Sequence, residues 1–277
     1  MSRSRAATAG YRRTRARPVR IAFVQWLSLS TRRLLRWRRR LSPWARRLSR
    51  WGRWALRGLW AAPLPVRLVA GTAVILVLIF TLNWLYQVIR KPAELFFPVS
   101  GTLHKTPSET WRQYGPLFRE HSTAVMTPEL LAALAQVEGS GNPVARTYWR
   151  WRLTWNPLEM YQPASSAVGM YQITNAAFQD ARRYCIHDHA VVEDGPWNDW
   201  GSCWFNSLYT RVIPGHAVEL TAAFLDRSVA RTLARQRLIA ATLQQKQDLA
   251  AVIHLCGAGT GDAYARRNFQ LTAAARC

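Results

Sequence analysis

The chain has 277 residues, 49% of them hydrophobic, and a formal net charge of +23. The length suits one or two domains with additional segments, and the charge taken alone would point to nucleic acid or an anionic surface. It is concentrated, however: residues 1–67 hold 19 of the 38 Arg and Lys residues and no acid, whereas residues 68–277 carry a net of only +4. The body of the protein is an ordinary, mildly basic domain preceded by a strongly basic arm.

Residues 1–20 are rich in Arg, Ala and Ser and are expected to be disordered. Over 31–60 an apolar stripe runs along a basic helix. Leu34, Leu41 and Leu48 recur every seven residues, and Trp37, Trp44 and Trp51 do the same three places later. Pro43 marks a kink or restart. Arginine on one face and tryptophan on the other suit a helix lying among anionic lipid headgroups. A coiled coil fits less well, because tryptophan is a poor knob and the seam lacks acidic partners. Nucleic acid is the remaining alternative, disfavoured because the bilayer next door is the simpler partner for the arm.

That bilayer is implied by Leu68–Tyr86, 19 residues without a charge. As a helix they extend about 30 Å, the thickness of a hydrocarbon core. Arg67 closes one end, Arg90 and Lys91 the other, and Trp84 and Tyr86 lie where amphipathic rings prefer the interface. One transmembrane helix is predicted over 68–89. The long segment in front of it does not fit a cleaved leader. Arginine density keeps the 1–67 arm in the cytoplasm. The rest then lies outside the inner membrane, in the periplasm of a bacterium with two membranes.

Residues 90–126 read as a periplasmic linker, broken by Pro92, Pro98, Gly101, Pro107 and Pro116, with a short helix at 107–114. The domain over 127–277 reads as all-α. Thr127 caps its first helix, Pro128 takes the first helical position and Glu129 the first turn. Leu130, Leu131, Leu134 and Val137 form the buried face, and Gly139 stops the helix. Further helices are predicted at 175–184, 202–212, 218–238, 244–255 and 260–267. No segment alternates like a strand, apart from a small hairpin that 148–161 allows.

All four cysteines, Cys185, Cys203, Cys256 and Cys277, follow the span, as an oxidising compartment permits. Three pairings exist. Cys185–Cys203 is favoured because a turn-rich segment separates them, which leaves Cys256 with Cys277. No metal site is expected: there is no CxxC, and His187 with His189 are too few ligands. No cofactor is implied.

The sharpest candidate for chemistry is Glu138. It sits on the last turn of an apolar helix, where the dipole's negative end and desolvation both raise a carboxyl pKa. A Glu protonated near neutral pH is what acid catalysis of glycosidic cleavage requires. The bland alternative is a solvated helix-end glutamate. A second signal follows in Ser166-Ala-Val-Gly169-Met170-Tyr171-Gln172-Ile173. Together with Glu138-Gly-Ser140-Gly-Asn142-Pro143, it resembles the soluble lytic transglycosylases and goose-type lysozymes. In that family a helix ends in the catalytic Glu, followed by Ser and an Asn-Pro pair, then by a serine, a glycine and G-L-M-Q-I. The resemblance covers about residues 120–270 and implies a lysozyme-like domain. It implies Glu138 as catalytic acid, and substrate contacts from Ser140, Ser166, Gly169, Met170, Tyr171 and Gln172. A third family motif, A-Y-N-A-G-x-G, is similar to Leu255–Gly261, with Cys256 in place of the tyrosine and Gly257 in place of the asparagine. His254 is read either as a substitute donor in the substrate site or as a packed core histidine.

The usual glycosidase needs two carboxylates. Here Glu159, Asp180, Asp188, Glu193, Asp194 and Asp199 all read as loop or helix-surface charges. One acid suffices if the substrate supplies the nucleophile, as N-acetylmuramic acid can through its N-acetyl group and then its 6-hydroxyl. Between the motifs, Tyr148, Trp149, Trp151, Trp155 and Tyr161 alternate with Arg146, Arg150 and Arg152. Tyr148 and Trp155 read equally as sugar-stacking rings and as packing residues. The expectation is therefore a membrane-anchored peptidoglycan lytic transglycosylase with 1,6-anhydro products, acting on glycan strands and serving a secretion, conjugation or pilus machine. Two alternatives stand: a catalytically weak or inactive wall-binding scaffold, and a protein whose functional end is the arm.

Overall fold

The structure, a computed structural model, describes residues 51–54, 57–199 and 201–271. The predicted disorder of 1–20, the leucine and tryptophan stripe before Trp51, and Cys277 lie outside the described residues. The chain divides into two units, residues 1–76 and 77–277. The longest helix, α1 (Leu64–Arg90), runs across that division. It has a mean hydropathy of 2.3 over its most apolar stretch, of which only 6% is buried. It is thus long and apolar enough to cross a membrane, and its exposure is the opposite of what a soluble core helix shows. The helix extends beyond the predicted 68–89 at both ends, with Pro65 in its first turn.

The second unit is helix-rich, with two small hairpins. Beyond α1, its longer helices are α2 (Pro107–Glu120), α3 (Pro128–Gly139), α4 (Asn175–Ala181), α5 (Pro214–Gln236), α6 (Leu243–Cys256) and α7 (Ala258–Arg266). Helix α5 is the centre. From Ala217 to Ala223 every residue is buried, so the helix has no solvent face there, the signature of a core helix. Leu220, Leu225 and Val229 of α5 meet Leu131 and Leu134 of α3, Phe118 of α2, and Leu249 and Ile253 of α6 in one hydrophobic cluster.

Four expectations are corrected. The segment 90–126 is not a free linker. Glu94 is fully buried and holds Lys91 at 3.0 Å, Arg146 at 3.4 Å and the Trp149 indole N–H at 2.8 Å. Helix α2 continues through Pro116 to Glu120, because Tyr114 and Phe118 are anchored in the core and a Thr106–Glu109 capping box fixes its start. The helix predicted at 202–212 is a single 3-10 turn, Trp204–Leu208. Cys203 is tied to Cys185, and the Asn206 side chain donates to the Tyr184 carbonyl. The helix predicted to reach Tyr184 ends at Ala181, and a hairpin follows.

Both hairpins are antiparallel. Strand β1 (Trp149–Trp151) pairs with β2 (Tyr161–Pro163), in the segment the sequence allowed for one. Strand β3 (Tyr184–His187) pairs with β4 (Ala190–Glu193). Its two turn residues, Asp188 and His189, both have positive φ (49° and 61°), the geometry that matches strand twist in a two-residue loop.

The favoured disulfide forms: Cys185 and Cys203 are bonded, with Cα atoms 5.4 Å apart. Cys256 is also disulfide-bonded.

Candidate functional site

Helix α3 delivers Glu138. The Thr127 hydroxyl accepts from the Leu130 N–H, and Pro128 opens the first turn. At the far end Ser140, not Gly139, takes the left-handed position (φ 50°), and its N–H bonds the Gln136 carbonyl. Gly139 is the last helical residue and is needed for space. A Cβ there would lie 2.7 Å from Met170 Cα and 2.8 Å from Met170 O. Only a glycine lets the end of α3 touch the backbone of the second motif. The residue that interrupts the resemblance between Glu138 and Ser140 is therefore the one that joins the two motifs.

Glu138 is half-buried, and burial raises its carboxyl pKa above the usual value, as expected. Among the described residues its side chain has no hydrogen bond or ion pair.

The second motif is a tight turn. Val168 and Ile173 exchange both backbone hydrogen bonds, and the Gln172 N–H donates to Gly169 O. Gly169 has φ +83°, and a Cβ on it would lie 2.2 Å from Arg211 O; no other residue fits. Gln172 is also left-handed (φ 46°), with its side-chain amide donating to Gly169 O at 2.9 Å.

The side chains expected as sugar contacts separate into groups. Met170 and Tyr171 are fully buried core residues, and the Tyr171 hydroxyl donates to Leu131 O at 3.1 Å. Their side chains position the turn and do not reach solvent. Ser166 Oγ accepts from the Asn175 N–H, holding the motif to the start of α4. Ser140 stays partly exposed beside Glu138. Tyr148 is 74% exposed and Trp155 entirely so, on the β1–β2 hairpin and its loop. Neither lines the cleft that holds Gln172 and His254.

Gln172 and His254 do come together. They line a cleft of about 500 Å³ with Asp180 of α4, Thr221 and Phe224 of α5, and Gly257 at the α6–α7 junction. His254 packs edge-on against Tyr171, with ring centroids 6.3 Å apart. Burial lowers its pKa to about 4, against the pull of a hydrogen bond with the Tyr171 backbone. It is neutral at physiological pH, and its Nε2 is buried without a partner, as is Thr221 Oγ1 on the same cleft. Glu138 is not among the cleft's walls.

The third motif is a helix–turn–helix. Gly257 (φ +84°) joins α6 to α7, and Gly261 admits Ile253, whose Cγ1 would lie 2.4 Å from a Cβ there. Cys256, in place of the tyrosine, is bonded through sulfur and offers no hydroxyl donor.

Asp180 reads in the sequence as a surface charge, yet it stands on the cleft wall. It is the only carboxylate there among the described residues, ion-paired with Arg231 (3.5 Å) and Arg183 (3.8 Å). Asn83 and Gln87 are a further pair that the sequence signals only through their spacing of four on one face of an apolar helix. No group of side chains suited to a metal is present among the described residues. No protein-family model, curated protein or solved structure matches the chain.

Proposed function

We propose that the chain is a peptidoglycan lytic transglycosylase with a lysozyme-like domain, anchored in the bacterial inner membrane by α1, with the residues after Arg90 in the periplasm. The observation that carries this reading is the Gly139–Met170 contact, which sets a half-buried carboxyl with a raised pKa against a left-handed glycine turn. Two motifs thirty residues apart in sequence thus meet at one place.

In this reading Glu138 donates its proton to the glycosidic oxygen as the bond from C1 of N-acetylmuramic acid breaks. The substrate's N-acetyl oxygen holds C1 meanwhile. The 6-hydroxyl then attacks C1, its proton returns to Glu138, and the 1,6-anhydro ring closes without water. A single protonated acid serves both steps, so no second carboxylate is required. Glycan approaches Glu138 past Ser140, and the Gln172–His254 cleft receives the adjoining sugar units. The basic arm then lies on anionic lipid or docks on a secretion or conjugation apparatus.

A second reading is favoured by one observation: Cys256 stands where the resemblance implies a tyrosine supporting the acid, and it is locked in a disulfide. The domain would then bind the wall without cutting it. Incubating full-length protein with purified sacculi separates the two. Soluble fragments released by the wild type but not by Glu138→Gln support the enzyme. Co-sedimentation of both proteins without release supports the binding module.

A further inference from the structure

Helix α1 carries two polar residues on one face near its end, Asn83 and Gln87. Both are buried, at 3% and 4% exposure, while the apolar residues around them are open. What buries them is the loop of the β1–β2 hairpin. Gln87 donates its side-chain N–H to Leu158 O at 2.8 Å, and Asn83 donates to Pro157 O at 3.4 Å. Glu159 takes hydrogen bonds from Tyr86 and Arg90, the latter an ion pair at 3.1 Å. Trp151 meets the Phe80 ring edge-on at 6.2 Å and lies 4.8 Å from Tyr161 across the hairpin. The base of the hairpin is locked separately, through Trp149 to buried Glu94.

These contacts have a direction. One step back along the hairpin, from Leu158 to Pro157, corresponds to one helical turn down α1, from Gln87 to Asn83. Trp151, on the facing strand, meets Phe80 about one further turn down the helix. Phe80 lies ten residues before Arg90, roughly 15 Å along the helix. A helix needs about 20 residues to cross the hydrocarbon core, and only 22 separate Arg67 from Arg90. The level of Phe80 and Asn83 therefore falls within the bilayer or at its boundary whenever α1 spans it. The loop that follows Trp151 presents Leu153 and Trp155 fully exposed, and Trp151 itself is 64% exposed. No acid occurs between Glu138 and Glu159, and Arg150 and Arg152 immediately precede the tip.

We propose that this hairpin is a second membrane anchor: its tip, Leu153–Trp155, inserts beside α1 into the leaflet next to Arg90. Trp155 and Trp151 occupy the interfacial depth that indole rings prefer, and Arg150 and Arg152 meet lipid phosphates. The exposed rings are covered by lipid rather than by sugar. Asn83 and Gln87, which would be costly bare in lipid, satisfy the backbone of the inserted loop instead. The second unit is thereby held against the bilayer at two points and does not swing on a single tether.

The inference rests on α1 crossing a membrane and not on the catalytic reading. Full-length protein is reconstituted in vesicles, with an environment-sensitive fluorophore on Leu153→Cys and, as control, on Ile239→Cys, which is equally exposed in the α5–α6 loop. Lipids carrying a nitroxide high on the acyl chain serve as quencher, and alkaline carbonate extraction reports on α1. The expected result is a blue-shifted probe at 153, quenched several-fold more than the probe at 239, with the difference lost in Asn83→Ala/Gln87→Ala. A carbonate-resistant protein whose two probes are equally aqueous overturns the hairpin anchor while leaving the span intact. Extraction by carbonate overturns both.

Discussion

Gly139 and Met170 touch backbone to backbone, closely enough that a single methyl group on Gly139 would lie 2.7 Å from Met170 Cα. The contact fixes where Glu138, one residue earlier, stands relative to the Gly169–Gln172 turn. Gly139→Ala must push the two apart. Overpacking of this kind costs about 1–3 kcal/mol, readable as a lower denaturation midpoint. Because the displaced residue adjoins Glu138, loss of peptidoglycan turnover should exceed what the lost folded fraction explains.

Glu138 makes a pH prediction with two readouts. Burial raises its pKa, so the protonated form persists above the ordinary carboxylate range, and on the proposed function turnover should fall as pH rises through the raised value. Stability runs the same way. The contribution is fully present below the unfolded-state pKa and is lost as pH rises through the folded one. At neutral pH Glu138→Gln should therefore be inactive and at least as stable as the wild type. A variant both inactive and markedly less stable would assign Glu138 a structural role.

His254 has the opposite sign. Its folded-state pKa is depressed to about 4 by burial, so its contribution is present above the unfolded value and is lost as pH falls from about 6.5 toward 4. The linked loss reaches at most about 3 kcal/mol. Comparing chemical denaturation of wild type and His254→Leu at pH 7 and pH 4.5 measures it. The variant should lose less stability on acidification.

The Cys185–Cys203 bridge closes a loop across 18 positions. Removing such a crosslink costs about 3 kcal/mol by loop entropy. The double variant Cys185→Ser/Cys203→Ser, which leaves the Cys256 disulfide intact, should lower the melting temperature and free the Trp204–Leu208 turn, seen as faster amide exchange there.

What was legible in the sequence follows from what is local. Thr127 and Pro128 announce α3 by capping alone, the uncharged run announces α1, and the turn-rich segment between Cys185 and Cys203 announces their bridge. The misses have non-local causes. Glu94 belongs to the domain through Arg146 and Trp149, 52 and 55 residues away, so composition suggested a linker. Pro116 reads as a breaker until Tyr114 and Phe118 are seen in the core. The β3–β4 hairpin turns on Asp188 and His189, a pair less distinctive than a glycine turn. At the site, glycine spacing disclosed the 169–172 turn. It did not disclose that Met170 and Tyr171 face inward, or that Trp155 lies apart from the Gln172–His254 cleft.

The most direct test of the central claim is the mass of the product. Full-length protein is required, because α1 contributes Asn83 and Gln87 to the hairpin. It is incubated with sacculi in ¹⁸O-labelled water, and the released muropeptides are weighed. The wild type should release 1,6-anhydro ends carrying no ¹⁸O, and Glu138→Gln should release no anhydro product. Reducing ends labelled with ¹⁸O, or equal anhydro product from both proteins, would contradict that claim.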